Sequence, residues 1–438
     1  MWFAGIWQPE TVISPNPTRA RRSRSLLPAW LAVLTVVAVA VNLRPGATSV
    51  GPVLTELETG IGMRTGTAAM LAALPAFCFS LFGAVSARLG ARLGTLAALL
   101  WAMVLVTVGL LIRAVSGSEA GFLVFSVVAL AGMAIGNVLL PVLIKGVFPT
   151  RNAEMMTVYA TTLSVGAISP PLVAPLLAGS SGTGWRSSLG IWGLVGAGAV
   201  VVLVVAWLEG RSRPSAGAGH APSASAGQES STSTGQESST DVATGILTVL
   251  RTPRGVALAV FFGVQSIQAY TMFGWLPQIY RDGGLGASSA SLLLAVFNIC
   301  GLFGGLLMPW VVHRVVDLRT LITVFTVLLV LGYLGLWLAP ARMPLLWTIM
   351  LGVAGWAFPL ALALITARTR RAHITAQLSA ATQALGYLIA GLGTWLFGGL
   401  YGLTGGWMWP LLALMASGVL FLVAGIVASR PGTLDDEL

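Results

Sequence analysis

The sequence predicts an all-α integral membrane protein whose twelve transmembrane helices form two pseudo-symmetric six-helix bundles. Of its 438 residues, 56% are hydrophobic and only 9% are charged. A soluble protein of this length needs more charged residues to cover its surface. The chain also has twelve long apolar segments, and short motifs of its first half recur about 220 residues later in its second half. Together they favour duplicated helical bundles that lie in lipid.

Apolar segments of about 18 residues or more are long enough to cross a hydrocarbon core of about 30 Å as helices. Helices are required because lipid offers no partner to backbone N–H and C=O groups. The predicted spans lie near residues 28–53, 66–87, 95–112, 121–144, 154–178, 187–207, 255–279, 288–312, 320–339, 344–366, 374–401 and 408–428.

The positive charges predict the orientation of these spans. Of the 24 Lys and Arg residues, 18 lie in the N-terminal tail, the alternate loops that share its side and the C-terminal tail. Arg44 falls inside the first span. Because cytoplasmic loops carry the excess of Lys and Arg, we expect a multi-pass protein of a bacterial cytoplasmic membrane with both termini in the cytoplasm. The loops of the other side hold Arg64, Arg113, Arg186, Arg281 and Arg342.

A long polar segment separates the two sets of six spans. It is rich in Ser, Gly, Ala and Thr and contains GQESST twice, so it cannot bury a core and is expected to be a flexible cytoplasmic linker. The predicted parts are a cytoplasmic tail at 1–25, a six-helix bundle at 26–208, the linker at 209–252, a second bundle at 253–429 and a tail at 430–438.

The two bundles carry related motifs at equivalent places. The pattern C-x4-G-x8-R begins at Cys78 in the second predicted span and at Cys300 in the eighth. The heptapeptide ATTLSVG from Ala160 in the fifth span resembles AATQALG from Ala380 in the eleventh. Such duplicated halves predict a secondary transporter with its site near the bilayer midplane between them.

This architecture resembles the major facilitator superfamily. Members of that superfamily carry a gating loop between spans two and three with Gly, Asp and Arg at fixed spacing. The segment GAVSARLGAR has alanine in place of the Asp, at Ala87. The resemblance implies a monomer and a gating loop that contains Gly83, Arg88, Gly90 and Arg92.

Several segments resemble one family more specifically. The segments NLRPGATSVGP (42–52), LLPVLIK (139–145), GVQS (263–266) and GWLPQ (274–278) are similar to spans one, four and seven of the cyanate and nitroimidazole transporter family. The resemblance covers the chain apart from the tail and the linker. It implies movement of a small solute, with cyanate-like anions and nitroheterocycles as the examples.

Arg44 is the residue that most needs an explanation. A charged side chain within a span costs about 2.5–3.5 kcal/mol on insertion scales, and such residues usually mark a function. Every carboxylate lies in a loop, in a tail or at the end of a span, and only Glu56, Glu58 and Glu154 are candidates for a partner. Without a partner, the guanidinium would dock an anion. The alternative is that Arg44 snorkels to the interface or binds the carbonyls freed by Pro45.

Other polar and aromatic residues fall inside spans and could converge on a central cavity. Interhelical hydrogen bonds, worth about 0.6 kcal/mol on average, are the alternative explanation of the amides. Tyr159, Tyr270 and Trp275 would supply an aromatic wall to the cavity, or would serve aromatic packing or an interface belt. The candidate substrate-binding amides are Asn42, Asn137, Gln265, Gln268, Asn298 and Gln383.

The sequence lacks the motifs of several other classes. It has no phosphate-binding loop, no catalytic triad pattern, no Cys or His spacing for a metal and no basic patch with interleaved aromatics for nucleic acid. We therefore predict no enzyme activity and no cofactor, with a small molecule and the bilayer as the partners. No Asp, Glu or His is evident inside a span, which favours a uniporter, an exchanger or a symporter whose proton travels on the substrate. The alternatives are a broad-specificity drug exporter and a membrane-embedded sensor or enzyme.

Overall fold

The computed structural model describes residues 28–178, 184–212, 247–315 and 317–438. Within these ranges the secondary structure is helical, and twelve helices are long and apolar enough to cross a membrane, which confirms the predicted count. The spans are 1 (Ala29–Val41, then Pro45–Thr48), 2 (Thr65–Leu93), 3 (Thr95–Val115), 4 (Glu119–Val147), 5 (Asn152–Ala178), 6 (Gly184–Ser212), 7 (Pro253–Asp282), 8 (Ala287–Arg314), 9 (Arg319–Leu338), 10 (Pro344–Ala354, then Ala357–Ala367), 11 (Ala372–Thr404) and 12 (Met408–Ser429).

Short connections make consecutive spans antiparallel, so the bundle has two faces. We call the face where span 1 begins and span 12 ends the terminal face, and the opposite one the distal face. The predicted tail 1–25 lies outside the described residues, as do residues 213–246 of the predicted linker. Span 6 continues to Ser212, so the first four residues of that linker are helical.

Span 1 is broken near its middle. The first helix ends at Val41, and the chain becomes helical again at Pro45. Pro45 has no N–H to continue the first helix, which explains why the break falls at this place. A second short helix, Leu54–Ile61, lies at the distal face and ends at Gly62 with a φ of +66°. The sequence predicted one continuous span here, and the break frees backbone groups in the middle of the bundle.

The predicted gating loop is a helix. Span 2 continues to Leu93, so its four predicted residues, from Gly83 to Arg92, lie on helical turns. Alanine, leucine and arginine are strong helix formers and dominate this segment. Gly94, with a φ of +82°, alone joins spans 2 and 3. The side chains of Arg88 and Arg92 are exposed at the terminal face.

The C-terminal residues fold back onto the terminal face of the second half. The backbone N–H of Leu434, a fully buried residue, donates to the Arg368 carbonyl at 2.8 Å. The Asp435 carboxylate accepts from the backbone N–H of Arg370 at 2.8 Å and from Nε of Arg371 at 2.8 Å. This segment therefore ties the connection between spans 10 and 11 to the end of span 12.

We expect Asp435→Asn to lower the thermal unfolding midpoint of the purified protein at pH 7. The Arg370 N–H and then the Arg371 side chain hold the pKa of the Asp435 carboxyl at about 2, below its ordinary 3.8. A depressed pKa stabilises the fold above the ordinary value, and that contribution is lost as the pH falls through the folded-state value. The difference from wild type should therefore shrink between pH 4 and pH 2. Asp317→Asn, at an exposed carboxylate, is the control, and an equal loss in both variants would contradict the assignment.

The two halves contact each other along their distal parts. At the distal face, Glu56 pairs with Arg281, with two N···O distances of 2.9 Å. Thr55 also donates a hydrogen bond to Gln278. A Cβ atom added at Gly51 would lie 2.2 Å from the Phe273 carbonyl oxygen. The distal face is therefore closed.

Candidate functional site

Arg44 lies at the break in span 1. Its carbonyl oxygen accepts from the backbone N–H of Ala47 at 3.0 Å and of Thr48 at 3.2 Å, so its backbone begins the helix that follows. Its side chain is half-buried. The guanidinium carbon lies 5.9 Å from the centre of the Phe79 ring of span 2, a cation–π distance. The break therefore places a positive charge deep in the bundle.

Three tyrosines lie within electrostatic range of the Arg44 guanidinium. Two of them, Tyr270 of span 7 and Tyr387 of span 11, belong to the second half. The third is Tyr159 of span 5. The Tyr159 hydroxyl donates to Oδ1 of Asn137 in span 4 at 2.8 Å. We call Arg44, Phe79, Asn137, Tyr159, Tyr270 and Tyr387 the Arg44 cluster.

Aromatic contacts connect the Arg44 cluster across the two halves. The ring centre of Tyr387 lies 5.5 Å from that of Phe79 and 6.2 Å from that of Tyr270. Phe79 belongs to the first half, whereas both tyrosines belong to the second. Nearby, the Ser80 hydroxyl of span 2 donates to the Ala384 carbonyl of span 11 at 2.9 Å. The cluster therefore lies where the halves meet.

Within the described ranges, no ion pair joins Arg44 to a carboxylate. Glu56, one of its candidate partners in the sequence, pairs with Arg281 instead. Glu154 is exposed at the terminal end of span 5. A half-buried guanidinium without a neutralising partner attracts anions, because the surrounding bundle screens its charge less than water does.

Asn42 faces the interior of the first half. Its Nδ2 donates to the carbonyl of Ala38 at 2.8 Å and lies 3.5 Å from that of Val195 in span 6. Its side chain is almost completely buried, and Oδ1 has no hydrogen-bond partner among the described residues. The structure therefore places Asn42 toward span 6, where its amide links the end of the first helix of span 1 to that span.

Gln265 and Gln268 face the interior of the second half. Nε2 of Gln268 donates to the Ser417 hydroxyl of span 12 at 2.7 Å, and Oε1 accepts from the Tyr333 hydroxyl of span 9. Nε2 of Gln265 donates to the carbonyl of Phe262, in its own span, at 3.0 Å. Both amides line a small cavity inside the second half, and the structure does not bring them to Arg44.

The three remaining predicted side chains lie at different depths. Trp275 is fully buried near the distal face, in ring contact with Tyr401 and Trp407. Nδ2 of Asn298 donates to the carbonyl of Leu294, one turn earlier in span 8, at 2.9 Å.

Gln383 is the one of these three that shares a face with a cluster residue. It precedes Tyr387 by four residues and therefore lies on the same face of span 11, one turn nearer the terminal face. Its Nε2 donates to the Ser379 hydroxyl at 2.8 Å. Gln383 therefore flanks the Arg44 cluster on its terminal side.

Three residues around this site do not stand out in the sequence. Phe79 and Tyr387 give no signal, because an aromatic residue inside an apolar segment carries none of its own. The sequence places Arg113 in a loop, but span 3 continues to Val115 and Arg113 is completely buried. Its position inside the apolar run LLIRAV was the signal that could have found it.

The comparisons with known proteins decide the family. The sequence profile described as "Major Facilitator Superfamily" matches residues 31–394. The chain belongs to the major facilitator superfamily. It is a secondary transporter of a small solute and not an enzyme.

Relatives of similar length are named as transporters. The chain is 29% identical over 405 residues to the Uncharacterized transporter YycB of Bacillus subtilis, covering 92% of this chain and 94% of the relative. It is 29% identical over 393 residues to the Cyanate transport protein CynX of Escherichia coli, covering 89% and 95%. It is 28% identical over 400 residues to the 2-nitroimidazole transporter of the same organism, covering 90% and 94%.

Solved structures confirm the predicted fold of this superfamily member. A mutant of the nucleoside transporter NupG matches with a TM-score of 0.71 at 11% identity, over 91% of this chain and 100% of that one. The inward open xylose transporter XylE from E. coli matches with a TM-score of 0.67 at 13% identity, over 93% and 98%. These similarities show the fold alone.

We expect Gln268→Leu to lower the stability of this transporter and to leave its apparent substrate affinity within about twofold of wild type. The change leaves the buried Tyr333 hydroxyl without its acceptor, and a buried unsatisfied group costs about 1–3 kcal/mol. The Ser417 hydroxyl loses the bond from Gln268 but still donates to the Leu414 carbonyl. Thermal unfolding in detergent measures the loss. A cycle with Tyr333→Phe should show that the two losses are not additive. A large rise in KM with unchanged stability would instead indicate that Gln268 contacts the substrate, as the sequence predicts.

Proposed function

We propose that the protein carries small anions across the bacterial cytoplasmic membrane by alternating access and that Arg44 binds the negative group. The observation that supports this most directly is the Arg44 guanidinium, held between the halves without a carboxylate partner in the described ranges. A planar fork of donors fits cyanate-like ions and carboxylates. The name of one relative, a cyanate transport protein, agrees with this substrate class.

The composition of the Arg44 cluster suits a transport site. Arg44, Phe79 and Tyr159 belong to the first half, and Tyr270 and Tyr387 belong to the second. An anion bound here would therefore contact both halves at once. Hydroxyl and guanidinium donors replace part of its hydration shell, while the aromatic rings exclude water from it. Such shared contacts favour a closed state when the substrate is bound, and that coupling is what alternating access requires.

The same proposal assigns the two faces. The excess of Lys and Arg on the terminal side supports placing that face in the cytoplasm. With the distal face closed by Gly51 against Phe273 and by the pair Glu56–Arg281, the described conformation would then receive substrate from the cytoplasm. We further propose that the protein works as a monomer, in which each chain holds a complete site.

A small nitroheterocycle is the second candidate substrate. The rings of Phe79, Tyr270 and Tyr387 could stack on a planar heterocycle while Arg44 binds its nitro oxygens. The name of a relative, a 2-nitroimidazole transporter, motivates this alternative. Both candidates use the same arginine and differ in how much of the aromatic surface they cover.

The test is uptake of labelled cyanate into proteoliposomes that contain the purified protein, with protein-free liposomes as the control. Saturable uptake inhibited by other small anions would support the proposal. Inhibition by 2-nitroimidazole but not by anions would favour the second candidate. Export of cationic dyes without any anion uptake would instead indicate a drug exporter and would overturn the proposal. A protonophore added at fixed substrate charge would reveal coupling to a proton.

A further inference from the structure

A second arginine lies beside a small cavity between the Arg44 cluster and the distal face. The cavity is lined by Gly46 of span 1, by Leu71 and Pro75 of span 2 and by Arg113 of span 3. Tyr270 and Phe273 of span 7 close it from the second half. Tyr270 also belongs to the Arg44 cluster, so the cavity and the cluster share a wall.

The Arg113 side chain is completely buried and only partly satisfied. Nη1 donates to the Gly46 carbonyl at 3.1 Å, and Nη2 donates to the Ser49 hydroxyl at 2.9 Å. Nε is buried and has no hydrogen-bond partner among the described residues. The guanidinium carbon lies 5.8 Å from the Phe122 ring centre.

The positive charge of Arg113 lacks a structural explanation. Its two hydrogen bonds hold the segment that follows the break in span 1, but a neutral amide could provide such bonds without burying a charge. In the described part of the chain, no carboxylate forms an ion pair with Arg113. Buried charges are normally paired, and within a membrane they usually mark a functional path.

The position of the cavity indicates when Arg113 would become accessible. Its walls come from both halves, and the same segment of span 7 that lines it also closes the distal face against Gly51. When the halves separate on that side, Phe273 must move away from span 1. The cavity would then widen toward the distal solution with Arg113 in its wall.

We propose that Arg113 forms a distal anion subsite, which holds a small inorganic anion on its way between the distal solution and Arg44. The inference rests on the proposed function. The subsite takes anions of cyanate size, because the cavity is small and its lining is otherwise mainly apolar. Tyr270, which lines the same cavity as Arg113 and lies within electrostatic range of Arg44, would contact the anion in either position.

Such a subsite makes the carrier asymmetric. Substrate that arrives from the distal side meets Arg113 first, whereas substrate from the terminal side reaches Arg44 directly. Loss of the Arg113 charge should therefore raise the apparent KM for distal substrate and leave the KM for terminal substrate nearly unchanged. Loss of Arg44 should affect both directions.

The experiment uses the bond between Arg113 and Ser49. Ser49→Asp keeps a hydrogen-bond acceptor for Arg113 and cancels its charge, while Ser49→Ala removes the acceptor and leaves the charge. Labelled cyanate transport is measured in vesicles of both orientations, beside Arg113→Gln. We expect Ser49→Asp and Arg113→Gln to raise the distal KM about tenfold or more, with the terminal KM and both Ser49→Ala values within about twofold of wild type. Thermal unfolding establishes that each variant is folded.

Three outcomes separate the subsite from the proposed function. A distal KM raised by Ser49→Asp and not by Ser49→Ala supports the subsite even if Arg113→Gln fails to fold. Equal KM changes in both directions, or equal effects of Ser49→Asp and Ser49→Ala, overturn the subsite while wild-type anion transport leaves the proposed function intact. Absence of anion transport by the wild type overturns the proposed function and the subsite with it.

Discussion

Replacing Arg44 by glutamine is expected to lower the uptake of small anions about 100-fold or more, because the variant loses a charge-assisted contact of about 3 kcal/mol, and each 1.4 kcal/mol is tenfold. Glutamine offers two amide donors but no charge, so the anion would exchange its water for neutral groups only. The loss should appear in kcat/KM from either face. Labelled cyanate uptake into proteoliposomes measures it.

Two further substitutions refine the Arg44 prediction. Arg44→Lys keeps the charge and loses the planar fork, so we expect an intermediate loss of about tenfold. Arg342→Gln, which removes an exposed arginine at the distal face, is the matched control and should transport normally. Uptake by a folded Arg44→Gln protein at the wild-type rate would contradict a role in anion binding. Arg44 would then serve only to bind the helix carbonyls freed by Pro45. Normal unfolding midpoints distinguish loss of binding from loss of fold.

Gly51→Ala is expected to hold the distal face open and to slow turnover about tenfold or more. The new Cβ would lie 2.2 Å from the Phe273 carbonyl oxygen and 3.1 Å from that of Gly274. Both atoms are backbone, so no side-chain rotation can relieve the overlap, and span 7 must move away. The closed state then loses free energy relative to the state in which the halves are apart on that side, and the population shifts toward the open state.

The opening can be measured with a cysteine introduced into the distal cavity. Cys78 and Cys300 are first replaced by serine, and Leu71→Cys provides the single reactive thiol. A membrane-impermeant maleimide added at the distal face should label Leu71→Cys faster when Gly51→Ala is present. Gly66→Ala is the control, because nothing lies within 4 Å of the added atom. Equal labelling rates in all three proteins would contradict the closure attributed to Gly51.

The sequence predicted the spans and the central arginine because lipid imposes strong rules. A span must be long and apolar, and a charge within it is costly, so both features stand out without any structure. The duplicated motifs from Cys78 and Cys300 likewise indicated two halves. The ends of the spans agree with the predictions to within a few residues, apart from helices such as span 2 that continue past the apolar segment.

The faces of the spans could not be predicted in the same way. Tyr270 and Gln268 are two residues apart on span 7, and 200° of helical rotation points one toward Arg44 and the other toward Tyr333. A span that is apolar all round has no amphipathic pattern to show which side faces the site. Composition also could not separate Arg113 from a loop arginine, because it lies within two residues of the end of span 3.

The break in span 1 has a mechanical consequence. Beyond Arg44, the chain does not continue the first helix of span 1. Its residues Gly51, Thr55 and Glu56 instead contact span 7. This segment can therefore rotate as a short unit about Arg44, the residue proposed to bind the substrate. We expect a rotation of this segment to displace the Arg44 guanidinium before either six-helix bundle tilts as a whole. Binding at Arg44 and closure of the distal face would then both depend on one local rotation of this segment.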